Sequence, residues 1–132
     1  MTTFRISEAA ALLGVSADTV RRWVDTGRLP AQRDDNGHRL ISGAELAAFA
    51  RSQSGRDDQG CGASSARNRF RGIVTEVIKD TVMAQVEIAA GPFRVVSLMS
   101  RRSADELGLE PGVVAVAVVK STTVVVEVPE PL

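Results

Sequence analysis

The chain carries few side chains that could do covalent or metal chemistry. Its single histidine is His38 and its single cysteine is Cys61, and no carboxylates cluster in the sequence. A nucleophile needs a base and a group that orients that base, and tetrahedral zinc needs three or four protein ligands. A lone cysteine forms no internal disulfide. The sequence therefore predicts neither an enzyme nor a site for a metal cation.

Two adjacent arginines, Arg21 and Arg22, have a spacing that suits nucleic-acid contact. At 100° per residue, the segment ADTVRRWVDTG places its apolar side chains on one arc and both arginines on the opposite arc. Ser16 is the expected N-cap, and a preceding helix is expected to begin at a Ser7 cap and end at Gly14. Two short helices separated by a three-residue turn are typical of a helix-turn-helix, whose second helix enters the DNA major groove. The alternative for these arginines is an ordinary solvated helix face.

A basic hairpin is predicted after the second helix. An Asn-Gly pair at 36–37 is a strong hairpin signal, with Arg33 before it and His38 and Arg39 after it. A third helix is predicted over Gly43–Arg51, because Ser42 and Glu45 have the spacing of a capping box. The hairpin therefore has the position and the charge of a DNA-binding wing.

The segment VSADTVRRWVDTGRLPAQRDDNGHRLISGAEL resembles the MerR-type winged helix, especially the compact excisionase-like members of that superfamily, over about the first 50 residues. This resemblance implies that double-stranded DNA is a partner. The candidate DNA-binding residues are Ser16, Asp18, Thr19, Arg21, Arg22, Arg33, His38 and Arg39. Full-length MerR regulators continue into a long dimerising helix, which does not follow here, so dimerisation is expected to come from elsewhere.

The second half of the chain is dense in Val, Ile and Thr and is predicted to form strands. The five predicted strands are Phe70–Ile78, Val82–Ile88, Phe93–Met99, Val113–Lys120 and Val124–Val128. A brief helix, capped at Ser103 and ended by Gly108, is expected before the fourth strand. This order is typical of a small closed barrel of the oligonucleotide/oligosaccharide-binding type. The predicted fold class is α+β with two domains, a winged helix-turn-helix followed by a small antiparallel β-barrel.

The segment SQSGRDDQGCGASSA, between the two halves, is prominent in Gly and Ser and lacks hydrophobic periodicity, which predicts a flexible linker. The predicted boundaries are 1–52 for the helix-turn-helix domain, 53–64 for the linker and 65–132 for the barrel.

The longest apolar run, Val113–Val119, is far shorter than the roughly 20 residues of a membrane-spanning helix. The chain has 16 basic residues (Lys and Arg) and 16 acidic residues (Asp and Glu), so its formal net charge is zero. We therefore expect a cytoplasmic protein without a membrane partner.

Three segments of the second half, SSARNRFRGIVTEV, SRRSADELGLEPG and AVVKSTTVVVEV, resemble in that order the molybdenum-binding Mop domain, a member of the TOBE superfamily of oxyanion-binding barrels. The resemblance implies molybdate or tungstate as ligand, bound at subunit interfaces of a dimer or hexamer. The candidate oxyanion-binding residues are Ser65, Ala66, Arg67, Asn68, Ser100, Ser103, Lys120, Ser121 and Thr122. A doubly charged oxyanion offers only acceptors, so hydroxyls, backbone N–H groups and one or two cations suit it. The alternative is that these side chains are ordinary surface charges and turn residues.

Three functions stay open at this point. The first is a transcription regulator that binds DNA through its winged helix and responds to molybdate or tungstate bound by its barrel. The second is an intracellular molybdate storage protein, or buffer, in which the helix-turn-helix is vestigial or auxiliary. The third is an architectural DNA binder whose barrel only oligomerises. The basic helix face favours the first and third, and the donor set of the barrel favours the first and second.

Overall fold

The computed structural model describes residues 2–53 and 64–129. The chain divides into two compact units, Met1–Gly60 and Cys61–Leu132. The first unit is mainly helical and the second is a curled antiparallel sheet, which confirms the predicted α+β class with two domains. The predicted linker lies almost entirely outside the described residues, and so does Cys61. The exact domain boundaries stay predictions.

The first unit packs three helices against a small sheet. Its elements are β1 (Thr3–Arg5), α1 (Ile6–Leu13), α2 (Ala17–Asp25), β2 (Gln32–Arg33), β3 (Arg39–Ser42) and α3 (Gly43–Gln53). The three strands are antiparallel in the order β1-β3-β2. The core contains Val20 from α2, Leu29 from the connector and Ile41 from β3, each at most 1% exposed. Trp23 packs beside Phe49 with ring centroids 4.8 Å apart, so α3 is tied to the apolar side of α2.

The helix starts follow from side-chain caps. The Ser16 hydroxyl accepts the Thr19 backbone N–H at 3.1 Å, which confirms the predicted start of α2. The predicted cap at Ser7 is wrong, because α1 begins at Ile6 and Ser7 lies inside its first turn. Arg5 is still extended because it pairs with a residue of β3, and its N–H donates to the Glu8 carboxylate at 2.9 Å. The helix therefore starts directly where the strand ends.

The wing is the hairpin formed by β2 and β3. Gly37 has φ +82°, a left-handed conformation that glycine adopts without a steric penalty, as the predicted turn requires. The Ser42 hydroxyl accepts the Glu45 N–H at 3.1 Å and starts α3, which extends two residues beyond the predicted end at Arg51. The predicted hairpin and third helix are thus confirmed.

The second unit is a four-stranded antiparallel sheet with one short helix. Its elements are β4 (Asn68–Lys79), β5 (Met83–Ala90), β6 (Phe93–Ser100), α4 (Arg101–Glu106), β7 (Val114–Val119) and a 3₁₀ turn (Ser121–Thr123). The strand order is β6-β5-β4-β7. Val74, Val86 and Ile88 form the buried centre of its concave face. An apolar cleft of about 430 Å³ stays open on this face.

The curl of this sheet depends on a close approach between β4 and β5. A Cβ atom added at Gly72 would lie 2.2 Å from the Ala89 carbonyl oxygen, so only glycine fits there. The register then shifts between Val74 and Glu76, as at a β-bulge. Bulges and tight glycine contacts bend strands, and together they give β4 the curvature of a half-barrel.

Two local predictions in this unit are wrong. The Val124–Val128 segment is not a strand in the described part of the chain, and Val125, Val126 and Val128 are 84 to 87% exposed. Its valines have the right pattern, but a strand also needs a neighbouring edge to pair with. Helix α4 is capped by Ser100 rather than Ser103, since the Ser100 hydroxyl accepts the Ser103 N–H at 3.1 Å. Ser103 therefore lies inside the helix.

Candidate functional site

The exposed face of α2 carries the predicted groove contacts. Arg21 and Arg22 are both exposed, and the Arg21 guanidinium lies 2.5 Å from the Asp18 carboxylate. Ser16 and Thr19 join their hydroxyls at 2.9 Å, in addition to the capping hydrogen bond. Within the described residues, Arg22 takes part in no ion pair. This leaves Arg22 as the cation of α2 that is not engaged with a carboxylate.

The wing is held in shape by hydrogen bonds within the hairpin. The Asp34 carboxylate accepts the backbone N–H groups of His38 at 2.8 Å and of Asn36 at 2.9 Å. The backbone N–H of His38 is the main cause that holds the pKa of Asp34 below its ordinary value. The Arg33 guanidinium donates to the Gly37 carbonyl at 2.6 Å. Arg33 and His38 therefore project from a well-defined turn.

Arg39 has a structural contact that the sequence did not predict. Its Nη1 lies 2.7 Å from the Asp25 carboxylate at the end of α2. That nitrogen is buried, and within the described residues no acceptor is oriented to form a hydrogen bond with it. The side chain is only 28% exposed. Arg39 thus ties the wing to α2 by charge pairing.

Several of these side chains line one depression, which we call the basic pocket. It measures about 410 Å³ and is lined by Arg5, Ile6, Ser7, Arg21, Arg33, Gly37, His38 and Arg39. Arg5 and Ser7 belong to this surface and were not predicted from the sequence. Their signal was weak, because a residue of a three-residue strand shows no periodicity, and only the pairing of β1 with β3 brings Arg5 beside the wing.

The structure brings two of the predicted oxyanion-binding segments side by side. Asn68 at the start of β4 pairs with Val119 at the end of β7, and the Asn68 amide donates to the Val119 carbonyl at 3.1 Å. The candidates Ser65, Ala66 and Arg67 come directly before β4, and Lys120, Ser121 and Thr122 come directly after β7. Within the described residues, neither Arg67 nor Lys120 takes part in an ion pair. The cluster offers hydroxyls, an amide and two exposed cations, and none of the residues 65–68 and 120–122 carries a carboxylate.

Ser100 and Ser103 lie elsewhere in the same unit. Their hydroxyls are 2.9 Å apart, and Ser100 pairs with Met83, next to the C-terminal end of β4. The 12-residue strand β4 spans roughly 40 Å along its path at about 3.3 Å per residue. The two groups of candidate residues are therefore at opposite ends of β4, and one chain does not bring them together.

The described ranges 2–53 and 64–129 contain neither a membrane-spanning helix nor a cluster of metal ligands. No helix there is long and apolar enough to cross a membrane. No group of three or more His, Cys, Asp and Glu side chains there has the arrangement of a metal site.

Comparison with known proteins assigns a family to each unit. A family model described as a helix-turn-helix domain matches residues 3–54, and a TOBE domain model matches residues 64–126. The chain is thus a helix-turn-helix domain joined to a TOBE domain. Molybdenum-pterin-binding protein 2 of Clostridium pasteurianum is 44% identical over 64 residues, which cover 47% of this chain and 93% of that protein. Through its second unit, the chain belongs to the family of these molybdenum-pterin-binding proteins.

One further sequence relative and two solved structures resemble single units of this chain. The type II methyltransferase M.Eco47II of Escherichia coli is 43% identical over 51 residues, which cover 38% of this chain and only 12% of that enzyme. The cytoplasmic molybdate-binding protein ModG, solved with molybdate bound, superposes with a TM-score of 0.50 and 35% identity over 55% of this chain and 52% of that one. MopII of Clostridium pasteurianum gives a TM-score of 0.47 with 37% identity, over 50% of this chain and all of that one. The predicted resemblance to a helix-turn-helix followed by a Mop/TOBE domain is confirmed.

Proposed function

We propose that this chain is a cytoplasmic DNA-binding regulator that responds to molybdate or to the similar oxyanion tungstate. The first unit binds double-stranded DNA through α2 and the wing, and the second unit binds the oxyanion and joins copies of the chain. The observation that carries this proposal is the presence, in one chain, of an exposed basic face on a helix-turn-helix and, on a TOBE domain, a cluster of cations and hydroxyls whose residues include no carboxylate. No catalytic step is part of the proposal.

The DNA-binding half of the proposal rests on α2 and the basic pocket. Exposed guanidinium groups suit phosphates and the acceptor edges of guanine. The charge of residues 1–52 is small, since seven arginines face six acidic residues. Because affinity for DNA grows with the number of neutralised phosphates, one copy would bind weakly at physiological salt. Several copies on one DNA site would bind tightly through avidity.

The oxyanion half of the proposal rests on the cluster around Arg67 and Lys120. Molybdate carries two negative charges and four acceptor oxygens, so cations and hydroxyl donors stabilise it without any competing carboxylate. The relatives named for molybdenum or molybdate support this ligand. Because Ser100 and Ser103 lie at the other end of β4, we propose that they come from a second copy and complete the site. The assembly is then part of the binding mechanism.

Self-association is further supported by the solvent-exposed apolar surface of the second unit. The cleft of about 430 Å³ is lined mainly by Val, Ile, Leu and Ala side chains. Val125, Val126 and Val128 are more than four-fifths exposed. Exposed contiguous apolar surface marks interaction sites in soluble proteins. A dimer or hexamer would bury it.

A titration with a matched control tests the oxyanion site. Lys120→Ala removes a charge-assisted contact worth on the order of 1.5 to 3 kcal/mol, so calorimetry should show molybdate affinity falling roughly tenfold to more than a hundredfold. The control is Arg94→Ala, because Arg94 is a cation of the same unit that is paired with Glu87 and lies level with the middle of β4, away from both groups of candidate residues. Equal affinities for both variants would contradict the site. Tungstate and sulfate titrations measure the selectivity.

A mobility shift with and without molybdate tests the regulator. We expect the full chain to bind duplex DNA and its affinity to change when the anion is added. Sedimentation velocity on the same samples measures the assembly. Molybdate binding without any duplex binding would contradict the regulator and favour the storage protein. Duplex binding that is indifferent to the anion would favour the architectural binder.

A further inference from the structure

The basic pocket of the first unit receives one arginine from every strand of the sheet. Arg5 comes from β1, Arg39 from β3 and Arg33 from β2, and Arg21 reaches it from α2. Arg33 and Arg39 are direct cross-strand partners. Like charges directly opposite in a sheet are destabilising unless something compensates for them. Among the residues that the structure describes, no Asp or Glu lines the pocket.

Two of these four guanidinium groups have a carboxylate partner outside the pocket. Arg21 is paired with Asp18 at 2.5 Å, and Arg39 is paired with Asp25 at 2.7 Å. Among the ion pairs of the described residues, none involves Arg5 or Arg33. Arg33 donates one N–H to the Gly37 carbonyl, which orients the group without neutralising it. The pocket therefore holds two guanidinium groups, those of Arg5 and Arg33, that form no ion pair with a carboxylate of the described residues.

We propose that Arg5 and Arg33 clamp one phosphodiester group of the DNA backbone in the basic pocket. This inference rests on the proposed function and adds to it a binding residue, Arg5, and a role for the pocket. A guanidinium group offers paired N–H donors in a plane, which match the two unesterified oxygens of a phosphodiester. The pocket also lies between α1 and the wing, so a phosphate bound there fixes how far α2 is turned towards the groove.

The same geometry predicts different DNA contacts for the arginines inside and outside the pocket. Arg22 is exposed on α2 but does not line the pocket. Contacts to phosphates position a protein on DNA, and contacts to base edges give sequence preference. Arg5 and Arg33 are therefore phosphate contacts whose loss weakens all duplexes equally, whereas Arg22 is left for the base edges.

The test measures salt-dependent binding of the full-length chain to two 24-base-pair duplexes, one rich in A·T and one rich in G·C, by fluorescence anisotropy. Each lost phosphate contact lowers the slope of log K against log salt by about 0.9, which corresponds to about eightfold weaker binding at 0.1 M salt if the contact vanishes at 1 M. We expect this loss for Arg5→Ala on both duplexes. Arg33→Ala should give the same loss, and Arg5→Lys should recover most of the slope.

The control is Arg51→Ala, which removes the same charge from the last turn of α3, outside the pocket. It should leave the slope nearly unchanged. Because both arginines hold one phosphate, the double Arg5→Ala/Arg33→Ala variant should lose less affinity than the product of the two single losses. The Trp23 fluorescence of each variant checks that the unit is folded, since this is the only tryptophan of the chain.

Four results would overturn the inference. An unchanged slope in Arg5→Ala excludes Arg5 as a contact. A loss confined to one duplex makes Arg5 a base contact, and an equal loss in Arg51→Ala makes the effect one of overall charge. Fully multiplicative losses in the double variant mean two separate contacts. A lack of duplex binding by the unaltered chain would instead refute the proposed function itself.

Discussion

Removal of the Asp25 carboxylate tests whether its ion pair with Arg39 holds the wing against α2. The Arg39 nitrogen that faces this carboxylate is buried and has no hydrogen-bond partner in the part of the chain that the structure describes. Asp25→Ala therefore leaves a buried part of a cation without its counter-charge, and we expect unfolding free energy to fall by about 1 to 3 kcal/mol. In the reverse variant, Arg39→Ala, water can hydrate Asp25, whose side chain is 60% exposed. That variant should cost about 1 kcal/mol or less.

Urea unfolding followed by Trp23 fluorescence measures this difference, because the only tryptophan of the chain lies in the first unit. The matched control is Asp18→Ala, which removes the carboxylate from the exposed ion pair with Arg21. The side chains of that pair are 90% and 55% exposed, so the expected cost is below about 1 kcal/mol. If Asp25→Ala lowers the free energy of unfolding no more than Asp18→Ala does, the ion pair between Asp25 and the buried Arg39 nitrogen does not stabilise the packing of the wing against α2. That result would refute the reasoning.

Three further predictions concern the groove face, the curl of the sheet and acid. The double variant Arg21→Ala/Arg22→Ala should lose duplex binding but keep its sedimentation coefficient and its affinity for molybdate. Unchanged DNA binding would exclude the exposed face of α2 as the DNA contact. Gly72→Ala places a Cβ 2.2 Å from a carbonyl oxygen of β5, so overpacking should cost about 1 to 3 kcal/mol and lower the melting temperature of the second unit by roughly 4 to 8 °C per kcal/mol. Hydrogen bonds from backbone N–H groups, above all that of Met83, hold the pKa of Asp80 below its ordinary 3.8. This stabilisation is complete above the unfolded pKa and is lost as pH falls through the folded one, so melting curves should show less acid sensitivity below about pH 4 in Asp80→Asn.

The sequence predicted those parts of the fold that short-range chemistry determines. The Ser16 and Ser42 caps and the Gly37 turn each depend on residues within four positions of one another, and all three were found. The predictions failed where a contact between distant segments decides the outcome. Arg5 is extended because of β3, more than thirty residues away, and the valines of 124–128 lack a neighbouring edge within the described chain.

The candidate site shows the same division. Arg21, Arg22, Arg33 and His38 could be named because a helix face and a hairpin are local patterns. Arg5 could not, because only the three-stranded sheet gathers it with the wing. Arg39 was named as a DNA contact, and its ion pair with Asp25 could not be seen in the sequence. For the oxyanion residues, strand register alone showed which of them are neighbours and which lie a full strand apart.

The placement of Ser100 and Ser103 at the opposite end of β4 from Lys120 has a consequence for dose response. An ion held by both groups takes donors from at least two copies, so its binding is linked to assembly by mass action. The anion concentration at half-saturation then falls as total protein rises, until all copies are assembled. If the chain is the proposed regulator, a cell that makes more of it would respond at a lower molybdate concentration, without any change in the candidate site residues.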